Sequence, residues 1–167
     1  MKSLIAAFLL AASSGPALSA ECTIDQVHFI QPAEKGFTLT FRPAAEPNAY
    51  SDLEATLKTP TREFKFSMTA SNGYSFNYLV PSWPDAPDDA SFHIFLYDNS
   101  FATLGLPNKG FAAPAAILTP ELGSWLWYGG NVDTPREFLP ADMWRAEGCS
   151  LTNGRPKSRP FPNHLSK

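Results

Sequence analysis

The chain is poor in the residues that mark most enzyme families. It has no Gly-x-Ser-x-Gly nucleophile elbow, no phosphate-cradling glycine pattern and no C-x-x-C pair. Its three histidines, His28, His93 and His164, stand far apart in sequence. No triad or metal-ligand spacing is therefore apparent, and no cofactor or metal is expected. Charge is also scarce, with 17% of residues ionic. Beyond the first twenty positions no apolar run approaches the ~20 residues that a membrane-spanning helix needs.

Cysteine is nearly absent. The two that exist, Cys22 and Cys149, sit near opposite ends of the chain beyond residue 20. Residues 1–20 have the layout of a secretory signal peptide. Lys2 precedes an apolar run from Leu4 to Ala12, Gly15-Pro16 breaks it, and Ala17-Leu18-Ser19-Ala20 offers small residues for cleavage. Glu21 before Cys22 argues against a lipid anchor. In an oxidising compartment the two cysteines are expected to form one disulfide that closes almost the whole domain. The expected location is the periplasm or the extracellular medium.

The charge that remains is unevenly spread. Residues 21–152 carry 8 basic and 16 acidic groups, whereas 153–167 hold Arg155, Lys157, Arg159 and Lys167 with no acid. An acidic body gives no support for nucleic-acid binding. The tail, with Pro156, Pro160 and Pro162, reads as extended or disordered. The expected organisation is a leader (1–20), one β-rich domain (21–152) and a basic proline-rich tail (153–167).

What the chain does have is alternation. Val27 and Phe29 mark a first strand, and Phe37, Leu39 and Phe41 a second. Leu53, Ala55 and Leu57 precede Thr59-Pro60-Thr61-Arg62, a four-residue turn that would face Lys58 with Glu63 and Leu57 with Phe64. The next turn, at Ser71-Asn72-Gly73, is predicted to use three residues. That register faces Phe66 with Tyr78 and Met68 with Phe76, and it puts Gly73 in a left-handed conformation. The result is a meander over 53–58, 63–69 and 74–80. Ser91 to Tyr97 reads as a central strand, apolar on both faces, and Ala115 to Leu118 as a short one.

After Leu118 the signals turn helical. Thr119-Pro120 starts a helix that Gly129-Gly130 stops, with Leu122, Trp125 and Leu126 on one face. Thr134-Pro135-Arg136-Glu137 repeats the start signal as a capping box, and a further short helix is expected up to Arg145. The fold class is thus mainly β: a small antiparallel sandwich or partly open barrel with one to three short C-terminal helices.

For function, the tryptophans stand out. Trp83, Trp125, Trp127 and Trp144 all lie outside the meander, and Tyr128 follows Trp127. Trp125 shares a face with Leu122 and belongs to the core. Trp83, Trp127, Tyr128 and Trp144 are the candidate ligand-binding residues, because exposed aromatics offer rigid apolar faces to sugars, peptides or partner proteins. The leading expectation is a non-enzymatic exported domain that binds a protein or glycan. The alternative is a small envelope hydrolase using two of Asp85, Asp88, Asp89, Glu121 and Asp133. Calcium at Asp85, Asp88 and Asp89 fits no EF-hand spacing. A carrier barrel of the lipocalin type lacks its Gly-x-Trp, since no tryptophan precedes Trp83.

Overall fold

A computed structural model describes residues 22–149 apart from 72, 74–75, 84–88 and 130–135, with only the backbone of Cys149. The expected leader and tail, Asp85, Asp88, Asp133 and the Thr134-Pro135 pair therefore lie outside the described residues.

Nine strands form one sheet: β1 (Val27–Ile30), β2 (Thr38–Pro43), β3 (Leu53–Lys58), β4 (Glu63–Ala70), β5 (Asn77–Pro81), β6 (Phe92–Tyr97), β7 (Thr103–Leu104), β8 (Ala116–Leu118) and β9 (Met143–Cys149). Neighbours follow the order β5-β4-β3-β2-β1-β9-β8-β6-β7, and β5 also pairs with β6. That last pairing joins eight antiparallel strands into a closed barrel, neither a sandwich nor a partly open barrel. Closure removes the strand edges that an open sheet would expose. The two-residue β7 continues the β5 side of β6, pairing Leu96 with Leu104.

The wall strands alternate as their sequences require. Phe29, Leu39, Phe41, Leu57, Phe66, Met68, Leu79, Ile94, Leu96 and Ile117 are all essentially fully buried. Large inward side chains thus fill the interior, as an eight-strand barrel allows.

The β3–β4 register is as expected, with Lys58 opposite Glu63 and Leu57 opposite Phe64. The β4–β5 register is not. Met68 faces Leu79, Thr69 faces Tyr78 and Ala70 faces Asn77. Ser71 N–H donates to Phe76 O (2.9 Å), so the connection is longer than the three residues expected. Gly73 does take positive φ (+119°). The expected pairing requires Phe76 and Tyr78 to lie inside. Instead Leu79 and Asn77 point inward, and Phe76 and Tyr78 lie on the outer face.

The C-terminal region holds the larger correction. Only one α-helix is present among the described residues, α1 (Leu122–Tyr128). Arg136–Leu139 is not helical. The stretch expected to run helically to Arg145 is β9, which pairs with β1 on one side and β8 on the other and so completes the barrel. Trp144 is fully buried, and its indole N–H donates to Thr119 Oγ1 at 2.9 Å. Ala146 and Gly148 dilute the alternation that would have revealed a strand.

Two ends close the barrel. At one, α1 buries Leu122 and Leu126, while Trp83 and Trp125 pack over Phe64, Phe66 and Phe92 with ring centroids 5.1–6.3 Å apart. At the other, the segment after β7 bonds to residues 22–24. Ile24 N–H donates to Phe111 O and Ala113 N–H to Cys22 O, each at 2.9 Å. Cys22 is buried, and Cys149 is the backbone partner of Val27. Among the described residues no cysteine pair lies at disulfide distance, so the expected Cys22–Cys149 disulfide is not shown.

Candidate ligand-binding surface

Helix α1 begins at Leu122, two residues later than Pro120 suggests, and Glu121 is its N-cap residue. Its carboxylate reaches β6, where Oε2 accepts His93 N–H (2.7 Å) and Oε1 accepts His93 Nδ1–H (2.6 Å). β8 pairs with β6 only as far as Leu118–Phe95. Beyond that point the Glu121 side chain replaces the missing strand as acceptor for the β6 backbone. A carboxylate gripping both a backbone N–H and an imidazole is a charge-assisted, two-point contact.

His93 stands on the outer face of β6 within a group of rings. Tyr78 lies 4.6 Å away, Phe76 5.5 Å, and Phe95 5.9 Å in a near-parallel stack, all centroid to centroid. Phe76 is 41% exposed. Phe76 and Phe95 also line a slot of about 300 Å³ in the barrel wall, with Asn77, Ile94, Thr103 and Leu104. The slot falls where β5 stops pairing with β6 and β7 takes over. The β5–β6 pairs end at Asn77–Ile94, and the β6–β7 pairs start at Leu96–Leu104.

The second concavity lies at the helical end. A groove of about 500 Å³ runs between α1 and the segment before β9, lined by Pro120, Gly123, Trp127, Tyr128, Phe138 and Asp142 among others. Trp127 and Tyr128 fall outside the Leu122–Leu126 stripe of α1 and are 37% and 78% exposed, and Phe138 is 65% exposed. Phe138 meets Trp127 edge to face at 6.2 Å, and the Arg136 guanidinium sits 5.8 Å over the Trp127 ring. Partial burial pushes the Asp142 carboxyl above its ordinary pKa. A Cβ on Gly123 would come within 3.2 Å of Asp142 Oδ1, so the missing side chain makes room for that carboxylate.

The segment opposite α1 is held by Glu137. Its buried carboxylate accepts Thr59 Oγ1–H (3.0 Å) and Thr61 Oγ1–H from the β3–β4 turn. The residue that looks like the end of a capping box is instead a tether across the mouth of the barrel.

The four aromatic candidates therefore separate. Trp127 and Tyr128 line the groove, Trp83 is half-buried in the end plug, and Trp144 is inside the wall. Among the carboxylates raised for hydrolysis, Glu121 is bound to His93, Asp89 is exposed, and the others lie outside the described residues. No group of three or more metal-ligating side chains occurs among the described residues. Sequence pattern does not mark Phe138, Asp142 or the His93–Glu121 pair as binding residues. Their partners are distant in sequence, 28 residues apart for His93 and Glu121. The α1 periodicity alone marks Trp127 as lying off the buried stripe.

The surface thus belongs to a closed antiparallel barrel filled by side chains. Comparison with protein-family models, with curated proteins and with solved structures finds no significant match to the chain. No helix among the described residues is long and apolar enough to cross a membrane.

Proposed function

We propose that this is an exported binding domain that recognises a protein or glycan through the groove beside α1. The observation that carries this reading is the exposed trio Trp127, Tyr128 and Phe138 around a concavity of about 500 Å³. That volume is in the range of small-molecule sites, roughly 300–1,000 Å³. Large exposed rings cost solubility unless something covers them, and aromatic anchors dominate recognition surfaces. With the barrel interior occupied by side chains, an outside site is favoured over a carrier cavity.

Export and a Cys22–Cys149 staple belong to the same proposal. The leader-like first twenty residues support export. The even cysteine count of a chain with a leader-like start is what motivates the staple. By chain entropy such a long loop contributes up to ~5 kcal/mol. Titrating thiols in the unfolded, unreduced protein checks it: none is expected, and two would remove the staple.

For the groove, the test is a screen of the folded chain against peptide and glycan libraries, repeated with a Trp127→Ala/Tyr128→Ala double variant. Ligands of the native chain are expected to be lost by the variant while its melting temperature holds. Retention of every ligand by the variant would refute the groove as the site.

A further inference from the structure

The groove and the ring cluster on β6 are connected. Phe76 and Phe95 line the wall slot and also pack around His93. His93 is bound to Glu121. Glu121 adjoins Pro120, which lines the groove. The outer surface therefore carries a continuous path from the slot, along β6, over the His93–Glu121 pair and into the groove at Trp127 and Tyr128.

Resting on the binding role just proposed, we infer that this path is the binding track of a linear, electrically neutral oligosaccharide. A track rather than a single pocket suits a polymer, whose repeating units can occupy successive aromatic platforms. The C–H-rich faces of sugar rings fit the negative faces of aromatic rings. Carboxylates accept sugar hydroxyls, and Glu121 and Asp142 stand beside the platforms.

Two observations favour a sugar over a peptide. Extended peptides gain much of their affinity by adding a strand to an open sheet edge. Each of the eight wall strands here has a neighbour on both sides, the stretch of β6 that β8 leaves unpaired is capped by Glu121, and β7 offers only two residues. The aromatic platforms, by contrast, stand on the outer face of the sheet, where backbone pairing plays no part. Charge selects within the class. Residues 21–152 carry twice as many acidic as basic groups, and on the track the carboxylates of Glu121 and Asp142 outweigh the Arg136 guanidinium over Trp127. A uronate- or phosphate-bearing chain would be repelled.

The test is calorimetric titration of the full exported chain with neutral β-linked glucose, α-linked glucose and N-acetylglucosamine oligomers of two to six units. In at least one series the affinity is expected to rise about tenfold or more from dimer to hexamer. Tyr128→Ala should weaken binding at every length. Phe76→Ser, on the far part of the track, should weaken the hexamer and spare the dimer. Both substitutions are at exposed rings, and circular-dichroism melting of each variant verifies its fold. Affinity independent of length, or a Phe76→Ser variant that binds the hexamer normally, would overturn the track. Tighter binding of a uronic-acid hexamer would overturn the preference for neutral chains. Groove-dependent binding of peptides with no heat from any sugar would overturn the saccharide class and leave the binding role intact. If binding survives Tyr128→Ala and Trp127→Ala together, the groove itself is wrong.

Discussion

The two ends of the barrel are closed by different physics. At the helical end, side chains do the work. Leu122 and Leu126 reach inward, Trp83 and Trp125 stack over Phe64, Phe66 and Phe92, and Glu137 ties the outer segment to Thr59 and Thr61. At the opposite end hydrogen bonds to the main chain do it. Residues 22–24 bond to 111–113, Asn48 gathers the 44–52 loop, and Ser51 Oγ–H donates to Pro107 O. Both ends expose rings, Tyr50 and Phe101 at the hydrogen-bonded end, but only the plug of large side chains has an outer aromatic layer beside a groove. That outer layer is where Trp127, Tyr128 and Phe138 are displayed. The groove of about 500 Å³ lies beside that layer.

Three substitutions would break or sharpen that contrast. The largest effect is expected for Trp144→Ala, beneath the helical end. It empties a fully buried site in β9 and leaves Thr119 Oγ1 without its indole donor. Loss of a buried Trp side chain costs about 3–5 kcal/mol, measurable by urea denaturation. A loss below ~1 kcal/mol would mean that β9 is not the closing strand. At the main-chain end, Asn48→Ala removes a donor to Met68 O (2.9 Å) and the acceptor for Tyr50 N–H and Ser51 N–H. It should cost about 1–3 kcal/mol and raise hydrogen exchange in the 44–52 loop and not around α1. Equal protection at both ends after this change would show that the two closures are coupled.

The smallest effect is set by pH. Asp98 Oδ1 accepts the Ser100 hydroxyl and the Ser100 and Ala102 N–H groups, which lower its pKa below the ordinary 3.8. A depressed carboxylate stabilises the fold fully above its unfolded-state pKa, and that contribution is lost as pH falls through the folded value. Asp98→Asn should therefore be destabilising at neutral pH and converge with the native chain in acid below 3.8. A constant difference across that range would count against the hydrogen-bonded carboxylate. Asp98 sits in the tight turn where Phe101, 76% exposed, takes φ = +63°.

Legibility from sequence differs between two neighbouring hairpins. The β3–β4 pairing was legible because turn chemistry and cross-strand charge agreed: Pro60 fits the turn, and Lys58 faces Glu63. The β4–β5 pairing was not. Phe76 and Tyr78 look like core by hydrophobicity, and Asn77 looks like surface, yet the barrel reverses both. Apolar alternation assigns an inside face only where the outside is polar, and here the outside carries the ring cluster. The misread face and the proposed track have one cause. Likewise, Glu137 follows a capping signature, but its carboxylate goes to two threonines from another hairpin. No local pattern could announce that contact. The exposure of Trp127 followed from helical phase alone.

The position of β9 has a consequence for the order of events as the chain emerges. β1 bonds to β2 on one side and to β9 on the other, so the pairs Val27–Cys149 and Ile30–Arg145 join the beginning of the domain to its end. A long chain loop must close before those pairs are made. Until residues 143–149 are available, β1 and β8 each keep a bare edge, and no partial barrel is free of one. The molecule is therefore committed late. A chain threaded across a membrane from its N-terminus would meet no closed barrel resisting its passage until almost all of the domain had gone through.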